Sequence, residues 1–231
     1  MLQFFRKVAL NRVRVVTTRC NRTVATDFTS QASKIKFSSG RLGHLAAGSV
    51  LCSDGGTVVH AAVCRGFDGD MKDGSLPLTV EYRSRAYAFG AIPSSSNRRE
   101  RHGSDDEVLV ARFIDRAIRP LFHQGCTHDI HVTVTNHASD GIHDPTVAAV
   151  NAASFALLKS KSLWGGPIGC VRVGLIDGRL KLNPSVSEME TSELDFLYAG
   201  TLSRPLMYDF FLTFHSLNSV FESYLCSILK D

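Results

Sequence analysis

Between Ser104 and Leu121 the spacing of apolar side chains leaves little choice of conformation. Val110, Phe113, Ile114, Ala117, Ile118 and Leu121 recur at i, i+3, i+4, i+7, i+8 and i+11, the stripe of an α-helix that buries one face. Ser104 and Glu107 stand three apart as a capping box, and Asp105 and Asp106 put negative charge in the first turn, where the helix dipole favours it. Pro120 predicts the stop. Elsewhere the period changes to two. "IHVTVTNHA" alternates like a half-buried strand. "GCVRVGLIDGRLKLNP" reads as a hairpin, with Val171, Val173 and Leu175 on one face, a type I′ turn at Asp177-Gly178, and Leu180 and Leu182 returning. Asp144-Pro145 supplies an N-cap and first helical residue before "TVAAVNAASFALLKSK". The segments "KIKFSSGRLGHLAAGSVLCSDGGTVVHAAVCRG", "LPLTVEYRSRAYAFGAIP" and "ELDFLYAGT" predict further strands. Strands mixed with two good helices indicate an α+β or α/β layer fold.

Residues 97–122, "NRRERHGSDDEVLVARFIDRAIRPLF", hold six arginines and five carboxylates. Arg112, Arg116 and Arg119 share one helical face beside the apolar stripe. Arg98, Arg99 and Arg101 precede the helix in a polar loop. Guanidinium groups grip phosphate through paired donors, so such a loop beside a helical row can track a nucleic-acid backbone. Asp105, Asp106, Glu107 and Asp115 offer the same arginines internal partners, and spacing alone leaves a solvated, salt-bridged face open as well.

The net charge of +4 is unevenly spread. Arg6, Lys7, Arg12, Arg14, Arg19 and Arg22 all precede the first acid, Asp27, and the remaining 20 basic and 22 acidic residues leave the body at −2. Any nucleic-acid surface is therefore a local patch. The leader is Arg-rich, contains hydroxyl residues and lacks acids, the marks of a mitochondrial transit peptide; a basic arm that touches nucleic acid is the other reading.

The six cysteines are widely separated, with no C-x-x-C pair, which argues against a zinc site and predicts buried reduced thiols. His123, His128, His131, His137 and His143 are spaced 5, 3, 6 and 6, which suits separate loop and surface histidines better than a metal cluster. No Gly-rich loop leads a strand into a helix as nucleotide folds require.

The run "AFGAIPSSSNRRE…SDDE…RFIDRAIRPLF" resembles the first RNase PH-type core of the polynucleotide phosphorylase family, where an "IP…RRE" loop precedes "SDKE" or "SEKE" and then "R-I/L-I-D-R-x-I-R-P-L-F". "GRLGHLAAGSVLCSDGGTVVHAAV", "SDGIHDPTVAAVNAASFAL", "WGGPIGCVRVGLIDG", "NPSVSEM" and "LDFLYAGT" stand in family order, so the resemblance spans residues 34–207. It implies an α+β RNase PH-like core with ribosomal S5 domain 2-like layers of mixed sheet and helices. The implied activity is that of a polyribonucleotide nucleotidyltransferase, a phosphorolytic 3′–5′ exoribonuclease acting in mitochondria, with Mg2+ as cofactor and inorganic phosphate as co-substrate. The implied partners are single-stranded RNA and further copies in a homotrimeric ring. The loop matching "SSSNRRE" lines the family's RNA channel, which makes Arg98 and Arg99 RNA-contact candidates, with Arg101, Arg112, Arg116 and Arg119 beside them.

The chain also departs from the family. Ser96 and Asn97 replace two large or aromatic side chains that could stack on bases, and Asp106 replaces a lysine. Ser187 and Glu193 stand at the positions matched to an aspartate pair of active cores. No catalytic residue and no metal ligand is therefore assigned, and Mg2+ and phosphate are expected of the full-length enzyme and not of this chain alone. A catalytically inactive RNA-binding or ring-assembly fragment, without a second core, KH or S1 modules, is the rival reading. The expected organisation is a leader over 1–33, the core over 34–207 and a divergent apolar tail over 208–231. In the tail Phe210, Phe214, Leu217, Phe221, Tyr224 and Ile228 have helical spacing, while Asp209, His215, Asn218 and Glu222 interrupt it too often for a membrane span.

Overall fold

The period-two segments become the strands of two sheets, and the helical segments pack against them. A computed structural model of the chain describes residues 16–20, 23–29, 35–68, 76–93, 100, 103–123, 126 and 128–212. Its elements are β1 (Val16–Cys20), β2 (Thr23–Thr29), β3 (Lys36–Ser39), β4 (Gly48–Asp54), β5 (Thr57–Asp68), β6 (Leu78–Ser84), α1 (Asp105–Ile118), β7 (His128–Ala138), α2 (Pro145–Lys159), β8 (Gly169–Ile176), β9 (Arg179–Leu182), α3 (Val186–Glu190), β10 (Leu194–Gly200) and β11 (Pro205–Leu212). One sheet has seven strands in the order β1-β2-β3-β4-β5-β7-β6, the other four in the order β11-β10-β8-β9. All pairings are antiparallel except β6 with β7, which are parallel and joined through α1. This is the α+β layer fold that the sequence implies.

The alternation decides which face is buried. Val59, Ala61 and Val63 of β5 and Ile130, Val132 and Val134 of β7 turn inward, to the alanines of α2 and to Phe113, Ile114, Ala117 and Ile118 of α1. Those four belong to the six-residue stripe read from the sequence; Leu121, also buried, lies in the turn after α1, and Val110 is partly buried against the core. The capping box is present: Ser104 Oγ accepts the Glu107 N–H at 3.3 Å, and Glu107 Oε2 accepts the Ser104 N–H at 3.2 Å. At the other end α1 stops at Ile118, and Pro120 continues the chain as a 3-10 turn, Arg119–Leu121. The hairpin β8–β9 has positive φ at both Asp177 (50°) and Gly178 (69°), as a type I′ turn requires.

Two features differ from the sequence reading. β1 and β2 fall within the span expected to be a leader, and their backbones extend the large sheet beyond β3. β11 carries the fold past Met207, so Phe210 pairs across from Phe196 on a strand and does not open a helical stripe; the rest of that stripe lies outside the described residues. Cross-strand pairing with β10 satisfies the backbone there and overrides the helical spacing. Three cysteines are buried thiols, Cys52, Cys126 and Cys170, whereas Cys64 is exposed on β5. No helix among the described residues is long and apolar enough to cross a membrane.

The turn between β4 and β5 is held by one carboxylate. Asp140 accepts N–H groups from Gly56 at 3.0 Å, Ile142 at 2.9 Å and His143 at 2.9 Å, the Thr57 hydroxyl at 3.0 Å, and His143 Nδ1 at 2.6 Å. Burial pushes this carboxyl up, but the donors from His143, Ile142 and Gly56 outweigh it and hold it well below the usual carboxylate range. Its stabilisation is therefore complete above the unfolded aspartate value of about 3.9 and is lost as pH falls towards the folded one. Urea midpoints of the wild type should exceed those of Asp140→Asn at neutral pH, and the gap should close as pH drops below about 4. Phe113, 5% exposed on the buried stripe, tests the helix packing. Phe113→Ala should cost on the order of 3–5 kcal/mol in denaturant unfolding.

Candidate nucleic-acid interface

Arg98, Arg99 and Arg101 lie outside the described residues, but the residue between them is well placed. Glu100 Oε1 accepts the Ala86 N–H at 2.7 Å, and its main-chain carbonyl accepts Arg85 Nη1 at 2.9 Å. Its carboxylate also sits 3.7 Å from the Arg85 guanidinium. The position after Arg99 is thereby tied to the end of β6, where the chain enters the 3-10 turn Ala86–Phe89. Sequence reasoning missed this anchor. Its signal was the acid set among arginines in "RRER".

The helical arginines have different roles. Arg119 donates through Nε and Nη2 to both oxygens of Asp115, at 3.1 and 2.7 Å. It also donates to the carbonyls of Leu76 and Leu78, each at 3.2 Å. It is a clamp between α1 and β6. Arg112 and Arg116 are exposed and make no ion pair among the described residues. Glu107 is not an arginine partner. It is buried, and its Oε1 accepts the Ser84 N–H at 2.6 Å while Oε2 serves the helix cap. Of the three helical arginines, the salt-bridged reading describes Arg119.

Arg112 and Arg119 help to line a cleft of about 550 Å³ between β6 and α1. At its rim Arg83 and Glu81 pair at 2.6 Å, and the hydrogen bond from Arg83 holds the Glu81 carboxyl below its ordinary range. Arg116 is not part of the cleft wall.

The positions matched to an aspartate pair are also apart from any cluster. Ser187 and Glu193 are both exposed, one on α3 and the other just before β10. The carboxylate built into the sheet is Asp195, which sequence reasoning passed over. Arg172 holds it through Nε at 2.8 Å and Nη2 at 2.5 Å, and donates to Asp144 at 2.7 Å. Asp144 is itself the N-cap of α2. The hydrogen bond with Asp195 leads the effects that push the Arg172 guanidinium up. A magnesium ion implied by the family does not fit these residues, because Arg172 occupies both carboxylates and Ser187 has none to offer. Among the described residues no group of three or more His, Cys, Asp or Glu side chains could hold a metal ion. The histidines are dispersed: His131 faces Glu81 at 3.9 Å, His143 bonds Asp140, and His137 lies 5.6 Å ring to ring from His60.

Comparison with known proteins gives this geometry its context. Residues 23–162 match the model of the 3′ exoribonuclease family, domain 1, and residues 166–204 match domain 2 of the same family. The first match begins at β2, inside the span read as a leader. Polyribonucleotide nucleotidyltransferase 2, mitochondrial, of Oryza sativa subsp. japonica is 42% identical over 181 residues, which is 76% of this chain and 18% of that protein. Its Arabidopsis thaliana counterpart is 39% identical over 175 residues. Polyribonucleotide nucleotidyltransferase of Methylobacterium sp. is 44% identical over 174 residues, 75% of this chain and 24% of the relative. The chain thus spans a fifth to a quarter of the length of these relatives. Among solved structures, rice Rrp46 superposes with a TM-score of 0.64 at 16% identity, covering 84% of this chain and 85% of that one. A chain of the Archaeoglobus fulgidus exosome with RNA bound to the active site gives 0.57 at 18% identity, covering 84% and 83%. At that identity the likeness concerns the fold. Both domain matches run in order along one chain whose sheets and helices have the RNase PH arrangement, and the chain belongs to the 3′ exoribonuclease family, with its similarity to the polyribonucleotide nucleotidyltransferases.

Proposed function

We propose that this chain serves phosphate-dependent 3′–5′ degradation of RNA in mitochondria, as a polyribonucleotide nucleotidyltransferase-type core that binds single-stranded RNA within a homotrimeric ring. The observation that carries the reading is the pair of family domains, in order, at 42% identity to a relative named as a mitochondrial polyribonucleotide nucleotidyltransferase. In that reaction an oxygen of inorganic phosphate attacks the terminal phosphorus. The bond to the preceding nucleotide's 3′ oxygen breaks, that oxygen takes a proton, and a nucleoside diphosphate leaves. Magnesium and phosphate belong, in this reading, to the complete enzyme. The contribution of this core is binding. Glu100 fixes the loop base, Arg98, Arg99 and Arg101 supply charge to the phosphates, and exposed Arg116 extends that charge along α1.

A second reading is favoured by Ser187, Glu193 and the engaged Asp195: a core that holds RNA or assembles rings without cleaving. Poly(A) with phosphate and magnesium tests whether this chain cleaves by itself. The isolated chain should bind the polymer and release little nucleoside diphosphate, whereas robust phosphate-dependent release would return catalysis to this core. Replacing Arg98 and Arg99 by alanine should weaken binding whatever the RNA sequence. The salt dependence should also flatten, by roughly 0.7 in log–log slope for each phosphate no longer neutralised. Unchanged affinity and slope would leave those arginines as a solvated face.

The compartment has its own test. Six cations precede Asp27 without an acid, and two plant relatives are named mitochondrial. A reporter fused behind residues 1–33 should reach mitochondria and be shortened on import; a cytosolic, full-length reporter counts against it.

A further inference from the structure

The cleft beside β6 has the construction of a strand-addition groove. Ile130 donates its N–H to Pro77 O, so in the parallel register Leu78↔Ile130 the odd-numbered residues of β6 bond β7. The even-numbered ones, Leu78, Val80, Tyr82 and Ser84, point their backbone groups away from the sheet. Two of these outward groups show what the edge accepts. Arg119 bonds the Leu78 carbonyl, and Glu107 bonds the Ser84 N–H. Between them the N–H and C=O of Val80 and Tyr82 face the cleft.

The same two bonds set α1 alongside β6 in the opposite direction. From Glu107 to Arg119 the chain rises roughly 18 Å, and from Ser84 to Leu78 it runs roughly 20 Å, so helix and edge match in length. The wall that α1 gives the cleft changes character over one turn. Val108, 51% exposed, and Ala111 are apolar, and Arg112 follows. Val108 and Arg112 are about 6 Å apart along the helix axis, close to the ~6.7 Å between alternate residues of a strand.

We infer that this groove binds an extended peptide as an added strand on β6, with an apolar side chain on Val108 and Ala111 and, two residues away, a carboxylate on Arg112. Charge complementarity selects the acidic side chain. Asp115 is taken by Arg119, Glu81 by Arg83 and Glu107 by backbone donors, whereas Arg112 has no ion-pair partner among the described residues. The edge itself favours peptide over RNA. The wall holds four arginines beside its three carboxylates and does not separate the two by charge, but a peptide backbone alone can satisfy alternating edge donors and acceptors.

The probe is a fluorescein-labelled, end-blocked peptide of sequence threonine-leucine-threonine-glutamate-threonine-threonine, titrated with the full chain and followed by anisotropy. Saturable binding is expected. It should weaken at least tenfold for Arg112→Glu, whose far-UV circular dichroism should match the wild type because Arg112 is exposed. Changing the peptide's glutamate to lysine should weaken it equally. A peptide N-methylated at alternate amides should not bind, a control that needs no protein variant. The inference is overturned by equal binding of the N-methylated peptide, by undiminished binding to Arg112→Glu, by displacement with poly(A), or by no binding at millimolar chain.

Discussion

The described fold is arranged around a helix with most of its surface buried. α2 lies between the two sheets, against β4 and β5 on one side and β8 on the other, and nine of its residues are buried. A helix in that position must be apolar all round and slender, which is what Ala148, Ala149, Ala152, Ala153 and Ala156 provide. The approach is close enough that a Cβ on Gly48 would sit 2.2 Å from the Ala156 carbonyl oxygen, so β4 can have only glycine there. Lys159 donates to Ser39 on the large sheet, and other polar groups on α2 hold the second one. Asn151 bonds both the N–H and the C=O of Cys170, and Ser154 Oγ accepts the Ile168 N–H. Asp144 joins the helix start to Arg172 and, through it, to Asp195.

With α2 filling the middle, α1 lies at the border of the large sheet, and the cleft between it and β6 follows from that placement. Its apolar stripe still reaches the core, but its opposite face overlooks the edge of β6. Two charged side chains fix its alignment, Glu107 at the start and Arg119 at the end, each bonded to backbone of the strand. Arg119 is also held by Asp115 on its own helix, a part-exposed pairing that would contribute little alone, whereas Glu107 is held by backbone donors. Glu107 is buried, and a buried carboxylate persists only because backbone N–H groups satisfy both oxygens. Glu100 repeats the device at the base of the arginine loop.

These arrangements show what the sequence could and could not convey. The stripe, the capping box, the Asp144-Pro145 start and the Asp177-Gly178 turn were all legible because each depends on residues a few positions apart. β11 was not, since its strand state comes from pairing with β10 and the spacing of Phe210 agreed locally with a helix. The partners of Arg119 divide along the same line. Asp115, four residues back, could be guessed, but the carbonyls of Leu76 and Leu78 lie more than forty positions upstream. Asp195 was invisible for another reason. Its meaning depends on Arg172, 23 positions away, and on the N-cap of a helix in another layer.

In the proposed role, the departures from the family pattern shape how the core would hold RNA. With Ser96 and Asn97 in place of large side chains, the stacking energy of roughly 1–3 kcal/mol per base is unavailable, and what remains is attraction of guanidinium for phosphate. That attraction is screened beyond about 8 Å at physiological salt. On that proposal, three arginines from one chain would make a weak site. A ring changes the arithmetic. In the proposed trimer three such sets would face one strand, and once one is engaged the others meet it at an effective concentration set by the ring's dimensions. Weak, sequence-blind attractions would then add up to retention while still allowing the strand to slip one nucleotide at a time.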